Sequence, residues 1–503
     1  MDKRYIAFRT DASSRIGTGH FMRCLTLADE LKKYGTDICF FSRHLPIYLS
    51  DMLSVKGMKY IPLNADDTND SVDELEHASW LGISQAKDAE ATVEALSGKI
   101  FDLIVVDHYA LDVRWENIVR PHVKKIMVID DLADRNHDCD VLLDQNYYAD
   151  MQTRYNGKTP EYCELLLGPS YALLREEFRE LSKKVKVRAG DVKKVLVFFG
   201  GVDKDNYTKQ VIEALAEIHA QLEVVVVIGA QHPFKELIKK ICTKYNFVCH
   251  VQVSCMAKLM AEADLAIGAG GTAIWERCCL GLPAIIICTA ENQRKQISDA
   301  AEEGFLYAPL LGDDLIESLR VHTQALLSNT SLIKFISNTG IRFVDGKGAL
   351  RVASCIDSSL IEMRKVTPHD SINIFEWRND QKIRDVSRSS ELITWDEHQK
   401  WFDDVLADSK RQLLIGMINE NQIGVVRFDM KEDVAEISIY LVPEKDYFGM
   451  GKGLLLASEK WLKINYPYMK RINATILPKN EASKRLFFGS GYLISSMNYI
   501  KNL

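Results

Sequence analysis

Arg9-Thr10-Asp11-Ala12-Ser13-Ser14-Arg15-Ile16-Gly17-Thr18-Gly19-His20 is the stretch on which the reading of the fold turns. The apolar run Tyr5 to Phe8 before it reads as a buried first strand, and the glycines make a short loop into a helix. That helix places Met22, Leu25, Ala28 and Leu31 on one face and stops at Gly35, a residue suited to the position just past a helix end. With Thr18 or Gly19 at the N-cap, His20 falls in the first helical turn. Free N–H groups there suit an anion and disfavour imidazolium, so a histidine in that place stays neutral and can act as a base near neutral pH. The plainer alternative is a glycine turn beside a surface histidine, and a short glycine motif does not decide between them.

Size and composition set the frame. At 503 residues the chain is too long for one core and predicts roughly two to four domains. Hydrophobic content of 47% and charged content of 26% are those of an ordinary globular chain. A net charge of −7 argues against nucleic-acid or anionic-membrane partners. Met1-Asp2-Lys3-Arg4 leads straight into a strand without a signal-peptide pattern, and no apolar run is long enough to span a membrane, so a cytoplasmic protein is expected. The eleven cysteines include no Cys-x-x-Cys pair and read as buried reduced thiols; no metal is expected.

The first half alternates strand and helix. Strands are expected at Asp37 to Ser42, Lys59 to Leu63, Leu103 to Asp107, Lys125 to Asp130 and Val141 to Leu143. Helices are expected at Pro46 to Val55, Ser71 to Trp80 and Gln85 to Leu96. Continuous apolar strands between helices imply a parallel sheet covered on both faces, with ligands at the carboxyl ends of its strands. Those ends are the His20 loop, Asp107-His108-Tyr109, Asp130-Asp131 and Asp144-Gln145-Asn146. The basic, polar stretch Ser182 to Lys194 reads as a linker. A second alternating array follows, with strands at Val195 to Phe199, Glu223 to Ile228, Phe247 to Val253, Leu265 to Ile267 and Ala284 to Cys288.

Gly268-Ala269-Gly270-Gly271-Thr272-Ala273-Ile274-Trp275-Glu276 is the second informative stretch. Small residues after a strand let backbone approach a diphosphate, and a carboxylate one turn into the helix can accept from ribose hydroxyls. The plainer alternative is a glycine-rich turn with Glu276 paired to an arginine. Neither Gly-x-Gly-x-x-Gly nor Gly-Lys-Ser/Thr occurs, which argues against a nicotinamide cofactor and a P-loop.

The spaced motifs Arg9-x-Asp11-x-Ser13-x-x-Ile16-Gly17-x-Gly19-His20-x-x-Arg23-Cys24, Leu143-Asp144-Gln145-Asn146, Leu167-Gly168-Pro169-x-Tyr171-Ala172-Leu173-Leu174-Arg175-x-x-Phe178, Gly200-Gly201-x-Asp203 and Gly270 to Gln293 resemble a known family. It is that of the UDP-2,4-diacetamido-2,4,6-trideoxy-β-L-altropyranose hydrolases of pseudaminic acid biosynthesis, and the match covers about residues 1 to 345. The resemblance implies a GT-B fold of two doubly wound Rossmann-like domains. It implies His20 as the base for water, and substrate contacts at Arg9, Asp11, Gly17, Gly19 and Arg175. The uridine diphosphate falls on Gly270, Gly271, Thr272, Glu276, Asn292 and Gln293. Diphosphate is a weakly basic leaving group, so one base and donors to the phosphates suffice where ordinary glycosidases need two carboxylates. The expected outcome is inversion with release of UDP.

Further helices are expected at Ser328 to Asn338 and Ala349 to Met363. Beyond them Leu413 to Ile418, Asn421 to Asp429 and Val434 to Val442 read as antiparallel strands, and Phe448-Gly449-Met450-Gly451-Lys452-Gly453 opens a helix. With Leu477-Pro478-x-Asn480-x-x-Ser483-x-x-Leu486-Phe487, this region resembles the Gcn5-related N-acetyltransferases (GNAT). Its Trp377-Arg378-Asn379 and Thr394-x-x-x-His398-x-x-Trp401 are similar to those of the subgroup that acetylates 4-amino nucleotide sugars. The resemblance implies acetyl-CoA as co-substrate, held by Gly449, Gly451, Lys452, Gly453 and Asn480. Two departures stand out: Phe448 takes the first position of the Arg/Gln-x-x-Gly-x-Gly signature, and Phe487 stands where many members carry a tyrosine acid. Glu436 is the candidate amine base and His398 its rival.

The expected architecture is α/β: two Rossmann-like domains, 1–185 and 190–363, followed by an acetyltransferase domain, 366–503. The expected function joins UDP-sugar hydrolysis to acetyl-CoA-dependent N-acetylation of the 4-amino precursor. A GT-B glycosyltransferase, or a hydrolysing UDP-sugar 2-epimerase, with a GNAT-like domain that only binds nucleotide or scaffolds, stays open as the alternative, as does oligomeric state.

Overall fold

The computed structural model describes residues 4–13, 15–63, 73–188, 190–218, 222–357, 360–418, 420–443, 447 and 449–495. Ser14 and Phe448 lie outside the described residues. The chain divides into two compact units, residues 1–349 and 350–503.

The first unit holds two parallel sheets. The first comprises β1 (Tyr5–Thr10), β2 (Asp37–Ser42), β3 (Lys59–Pro62), β4 (Leu103–Asp107), β5 (Ile126–Ile129), β6 (Val141–Asp144) and β7 (Glu164–Leu167), in the order β3-β2-β1-β4-β5-β6-β7. The second comprises β8 (Lys194–Phe198), β9 (Glu223–Ile228), β10 (Val248–Val251), β11 (Leu265–Ala269) and β12 (Ala284–Ile287), in the order β10-β9-β8-β11-β12. Central strands are buried along their length and mostly apolar because helices cover both faces; every residue of Leu103–Asp107 is buried. Ile104 and Trp115 in the first core, and Val226 and Ile285 in the second, are fully buried. Truncating Ile104 to alanine would cost about 2–5 kcal/mol.

The second unit has one mixed sheet: β13 (Glu362–Lys365), β14 (Arg411–Ile418), β15 (Asn421–Lys431), β16 (Val434–Leu441) and β17 (Arg471–Ala474) in sequence order. The first four pair antiparallel, whereas β16 and β17 run parallel from Val434↔Arg471 to Ile437↔Ala474. The strand β17 then ends while β16 continues, so the sheet opens at this point. The helix Gly451–Asn465 lies on β14 and β15 so closely that a Cβ at Gly416 or Gly424 would stand 2.3 or 2.4 Å from the Leu454 methyls.

Two expected helices are corrected. Where Ser71 to Trp80 was expected helical, the described part, from Asp73, holds only a 3-10 turn at Ala78–Trp80. Asp73 there is used as an anchor, accepting from Leu75 N and pairing with Arg114 at 3.0 Å. The helix expected to run from Ala349 to Met363 ends at Ile356, and Glu362–Lys365 is instead an edge strand.

Candidate active site

The register of the first sheet brings chemistry to one edge. Thr10, the end of β1, lies opposite Asp107, the end of β4. The loop after β1 closes on itself: Gly17 N donates to the Ser13 carbonyl at 2.8 Å, and Ser13 Oγ accepts from Ile16 N at 3.1 Å. Gly17 takes φ +80°, which explains the glycine. Thr18 is the N-cap of the helix Gly19–Lys32, so His20 lies in its first turn as expected.

His20 is nearly buried and sits against Asp107, with Nδ1 2.6 Å from Oδ1. Asp107 also accepts from Arg23 Nε at 2.6 Å and Nη2 at 2.7 Å. Burial alone would push the Asp107 carboxyl up; Arg23 and then His20 outweigh it and hold Asp107 well below the usual carboxylate range. An ionised carboxylate at that distance requires the proton on Nδ1, which leaves Nε2 as the lone-pair nitrogen. Arg23 reaches on to Asp131 through Nη1 at 2.7 Å, and Tyr109 Oη donates to Asp131 at 2.7 Å. The Tyr109 ring stands edge-on to His20 with centroids 4.5 Å apart. Trp80 and His77 extend this aromatic wall, and Arg15 pins them by donating to Ser79 Oγ at 2.7 Å. The strand-end pattern marked Asp107, Tyr109 and Asp131, but nothing in the sequence singled out His77 or Trp80.

Arg9 and Asp11 are corrected. Both are fully buried, Arg9 forking to Asp11 (2.8 and 3.1 Å) and to Asp88 (3.0 and 2.7 Å). Asp11 also accepts from Arg43 N at 2.7 Å. With their hydrogen-bonding capacity used internally, they brace the loop from below and offer no ligand contact. Asp144-Gln145-Asn146 is likewise structural: Asn146 Oδ1 accepts from Trp275 Nε1 at 2.9 Å and Gln296 Nε2 at 2.8 Å, fastening the first sheet to helices of the second. Gly19, at the helix start, is exposed, and a Cβ there would meet nothing within 4 Å.

At the second sheet, Gly271 takes φ +76° and Thr272 is the N-cap of the helix Ala273–Cys279. A Cβ at Gly270 would lie 2.8 Å from Gln293 Oε1, an oxygen that is buried and has no partner. Asn292, beside it in the 3-10 turn Glu291–Gln293, is exposed. Glu276 and Arg175, both expected at the ligand, hold each other at 3.2 Å. Burial pushes the Glu276 carboxyl up, with Arg175 opposing. Gly268 serves another purpose: its Cβ would strike Phe198 O at 2.0 Å and Arg277 Nη2 at 2.6 Å, so it makes room for protein.

In the second unit, Gly449 takes φ +82° and Gly451 begins the helix Gly451–Asn465. A Cβ at Gly451 would meet only Leu486 at 3.6 Å, whereas one at Gly453 would meet Ser354 O at 2.9 Å. Gly451 thus has room for a Cβ in ordinary contact with Leu486, whereas Gly453 is pressed against the core. Lys452 Nζ donates to Gly489 O at 2.8 Å, and Asn480 Oδ1 caps the helix Glu481–Phe488 through Ser483 N at 3.0 Å. Glu436 is exposed where β16 and β17 part; it pairs with Arg388 at 2.8 Å and accepts from Thr475 Oγ1 at 3.1 Å. His398 is removed as rival base. It is buried among Phe375, Trp395, Trp401 and Phe402, its Nε2 spent on Ser371 O at 3.0 Å, and burial pulls its pKa down. No group of three or more potential metal ligands, and no helix long and apolar enough to cross a membrane, occurs among the described residues.

Two parallel sheets ending in glycine-marked loops, followed by a splayed mixed sheet with a glycine-led helix, define a GT-B unit joined to a GNAT domain. Residues 195–325 match the glycosyltransferase family 28 C-terminal domain, and residues 361–492 the acetyltransferase (GNAT) domain. The chain is 27% identical over 305 residues to the UDP-2,4-diacetamido-2,4,6-trideoxy-beta-L-altropyranose hydrolase of Campylobacter jejuni, covering 60% of this chain and 97% of that one. It is 24% identical to an uncharacterized protein of Methanocaldococcus jannaschii over 97% of this chain and 96% of the other, so the fused arrangement recurs at full length. Among solved structures, MurG of Acinetobacter baumannii superposes with a TM-score of 0.50 at 14% identity, covering 70% of this chain and 99% of its own, a likeness of fold. The chain is thus a homologue of that hydrolase in its first unit, with a GNAT domain fused behind it.

Proposed function

We propose that the first unit hydrolyses a UDP-sugar of the 2,4-diacetamido-2,4,6-trideoxyaltrose type at its anomeric carbon. The observation that carries this reading is the His20 Nδ1–Asp107 pair at 2.6 Å, which leaves Nε2 as the acceptor at the sheet edge. Water gives its proton to Nε2 as its oxygen bonds to the anomeric carbon; the C–O bond to the diphosphate breaks, and UDP departs with the electron pair. One base meets this need because the leaving group requires no strong acid. Attack opposite the leaving group inverts the centre. The likeness to the named hydrolase over nearly its whole length supports the substrate class.

The second unit is proposed to acetylate the 4-amino UDP-sugar that precedes that substrate. The uncrowded helix start at Gly451, where only Leu486 would meet a Cβ, and the positive φ at Gly449 suit the pyrophosphate of acetyl-CoA. The acceptor nitrogen bonds to the thioester carbonyl carbon, the C–S bond breaks and CoA leaves as its thiolate, which takes a proton from solvent. Glu436, at the opening between β16 and β17, is proposed to take the amine proton. Incubating the whole chain with the 4-amino UDP-sugar and acetyl-CoA should give free diacetamido sugar, UDP and CoA. His20→Asn should bind UDP as before, lose most hydrolysis and keep acetyl transfer. UDP release that occurs only when a sugar acceptor is added would overturn the hydrolase in favour of a glycosyltransferase.

A further inference from the structure

Three arginines of this chain are among its largest fully buried side chains, and two in the first unit are compensated in opposite ways. Arg9 has two carboxylates. Arg277, 1% exposed, forms no ion pair with any described carboxylate; it donates from Nη1 to Ala269 O at 2.9 Å and from Nη2 to Phe198 O at 3.2 Å, and its buried Nε has no partner. Phe198 and Ala269 are the last residues of β8 and β11, so the guanidinium lies under the ligand-binding edge of the sheet. Ala269 immediately precedes Gly270.

We infer that Arg277 is a buried cation kept without a counter-ion so that its field holds the diphosphate of the nucleotide at the Gly270–Gly271 turn. This rests on the UDP-sugar reading proposed above, with the uridine diphosphate at Gly270 and Gly271 as the sequence resemblance implies. A buried charge without a partner is costly, and a fold that needed only to tie two strand ends could do so with a neutral side chain. Here the sequence keeps the charge in a tight place: Gly268 is glycine first because a Cβ would strike Phe198 O at 2.0 Å, and the same missing Cβ leaves room for Nη2, 2.6 Å from that position. Burial pulls the guanidinium pKa down to about 10, with the neighbouring Glu276 carboxylate opposing, which marks a cation under-compensated in the ligand-free fold. Two phosphate groups above it would supply the missing anion. Inside a poorly hydrated site such a charge acts over several ångströms without contact. The same cation would stabilise the charge that gathers on the departing diphosphate.

The test is calorimetric, on the full chain, with UDP, inorganic pyrophosphate and uridine as probes. Wild type is compared with Arg277→Met, which removes charge and donors, and Arg277→Gln, which removes the charge but keeps a donor. Both variants should weaken UDP and pyrophosphate by about tenfold or more while leaving uridine unchanged. Their ligand-free melting temperatures should be equal to or above that of wild type, because an unpaired buried charge has been removed. A purely structural arginine gives the reverse pattern: lower melting temperature, and equal loss for UDP and uridine or none for either. That result, or UDP affinity within about twofold of wild type in a folded variant, overturns the inference. Wild type that binds pyrophosphate but not UDP sinks the nucleotide reading alone; wild type that binds neither sinks both.

Discussion

Replacing Asp107 with asparagine tests the proposed chemistry at one atom. The carboxylate now accepts from His20 Nδ1 and Arg23 Nη2 at Oδ1, and from Arg23 Nε at Oδ2. An asparagine has one acceptor oxygen and one donor amide. Arg23 donates to both oxygens and has no acceptor, so either orientation of the amide sets the NH₂ against one Arg23 donor, and in both the ionised partner of His20 is lost. With the NH₂ toward His20, Nδ1 must accept and the ring proton moves to Nε2, so the nitrogen meant to take a proton from water already holds one; with the oxygen toward His20, the tautomer is kept but the anion that stabilises the protonated ring is gone. General-base catalysis contributes roughly 10²–10⁴-fold, about 3–5 kcal/mol of barrier, and that is the expected loss in kcat. Arg23 keeps Asp131 at 2.7 Å, so the stability cost should sit near the low end of the about 3–5 kcal/mol for a broken buried ion pair. UDP release measures the rate, and UDP affinity together with the melting temperature reports whether the fold and the second sheet are intact. A folded Asp107→Asn protein that binds UDP normally and turns over within about threefold of wild type would refute the assignment of His20 as base.

Two further expectations follow from buried groups. The Asp11, Asp107 and Asp130 carboxyls are each held far below their ordinary values, by Arg9, Arg23 and Arg135 against the opposing effect of burial. Depressed carboxyls stabilise the fold above their unfolded pKa of about 3.9 and lose that stabilisation as pH falls toward the folded values. Melting temperature should therefore fall steeply below about pH 4, and less steeply in Asp107→Asn; parallel acid profiles would contradict the linkage. In the acetyltransferase unit, Gly451→Val should abolish acetyl-CoA binding in a folded protein, since a Cβ there meets only Leu486 at ordinary contact distance and the added bulk would fall on the turn proposed for the pyrophosphate, whereas Gly453→Val should destabilise the unit by crowding Ser354 and Ile361. Retained acetyl transfer in Gly451→Val would remove that turn from the cofactor site.

The sequence made central strands and the loop into the first helix readable because their signals are local. β1, β4 and β9 are unbroken apolar runs, and the residues from Gly17 to His20 lie within one strand–turn–helix unit. What it hid was marginal or distant. β7, β13 and β17 are edge strands with half-exposed or polar faces, and their apolar pattern is too weak to read. Asp107 was visible as a strand end, but its bond to His20 joins residues 87 apart in sequence. Arg9 misled for the same reason: a motif arginine beside a glycine loop resembles a ligand contact until Asp88, 79 residues on, is seen to occupy it.

Charge compensation separates the two ends of the GT-B unit. At the first sheet, Arg9, Arg23 and Arg135 each meet aspartate, so His20 and its loop are fixed before any ligand arrives. Such an edge is suited to placing a base, because a base must stand in one position and keep one tautomer. At the second sheet, Arg277 meets only carbonyl groups and Gln293 Oε1 meets nothing. That edge is left electrostatically incomplete, and incompleteness favours binding: an anionic ligand gains there what the ligand-free protein lacks. The division follows from the reaction proposed. Water needs a base held ready whether or not sugar is present. The diphosphate needs a site that gains more as its negative charge grows during bond breaking, and a cation to which no described carboxylate is hydrogen-bonded leaves most of that gain for the ligand.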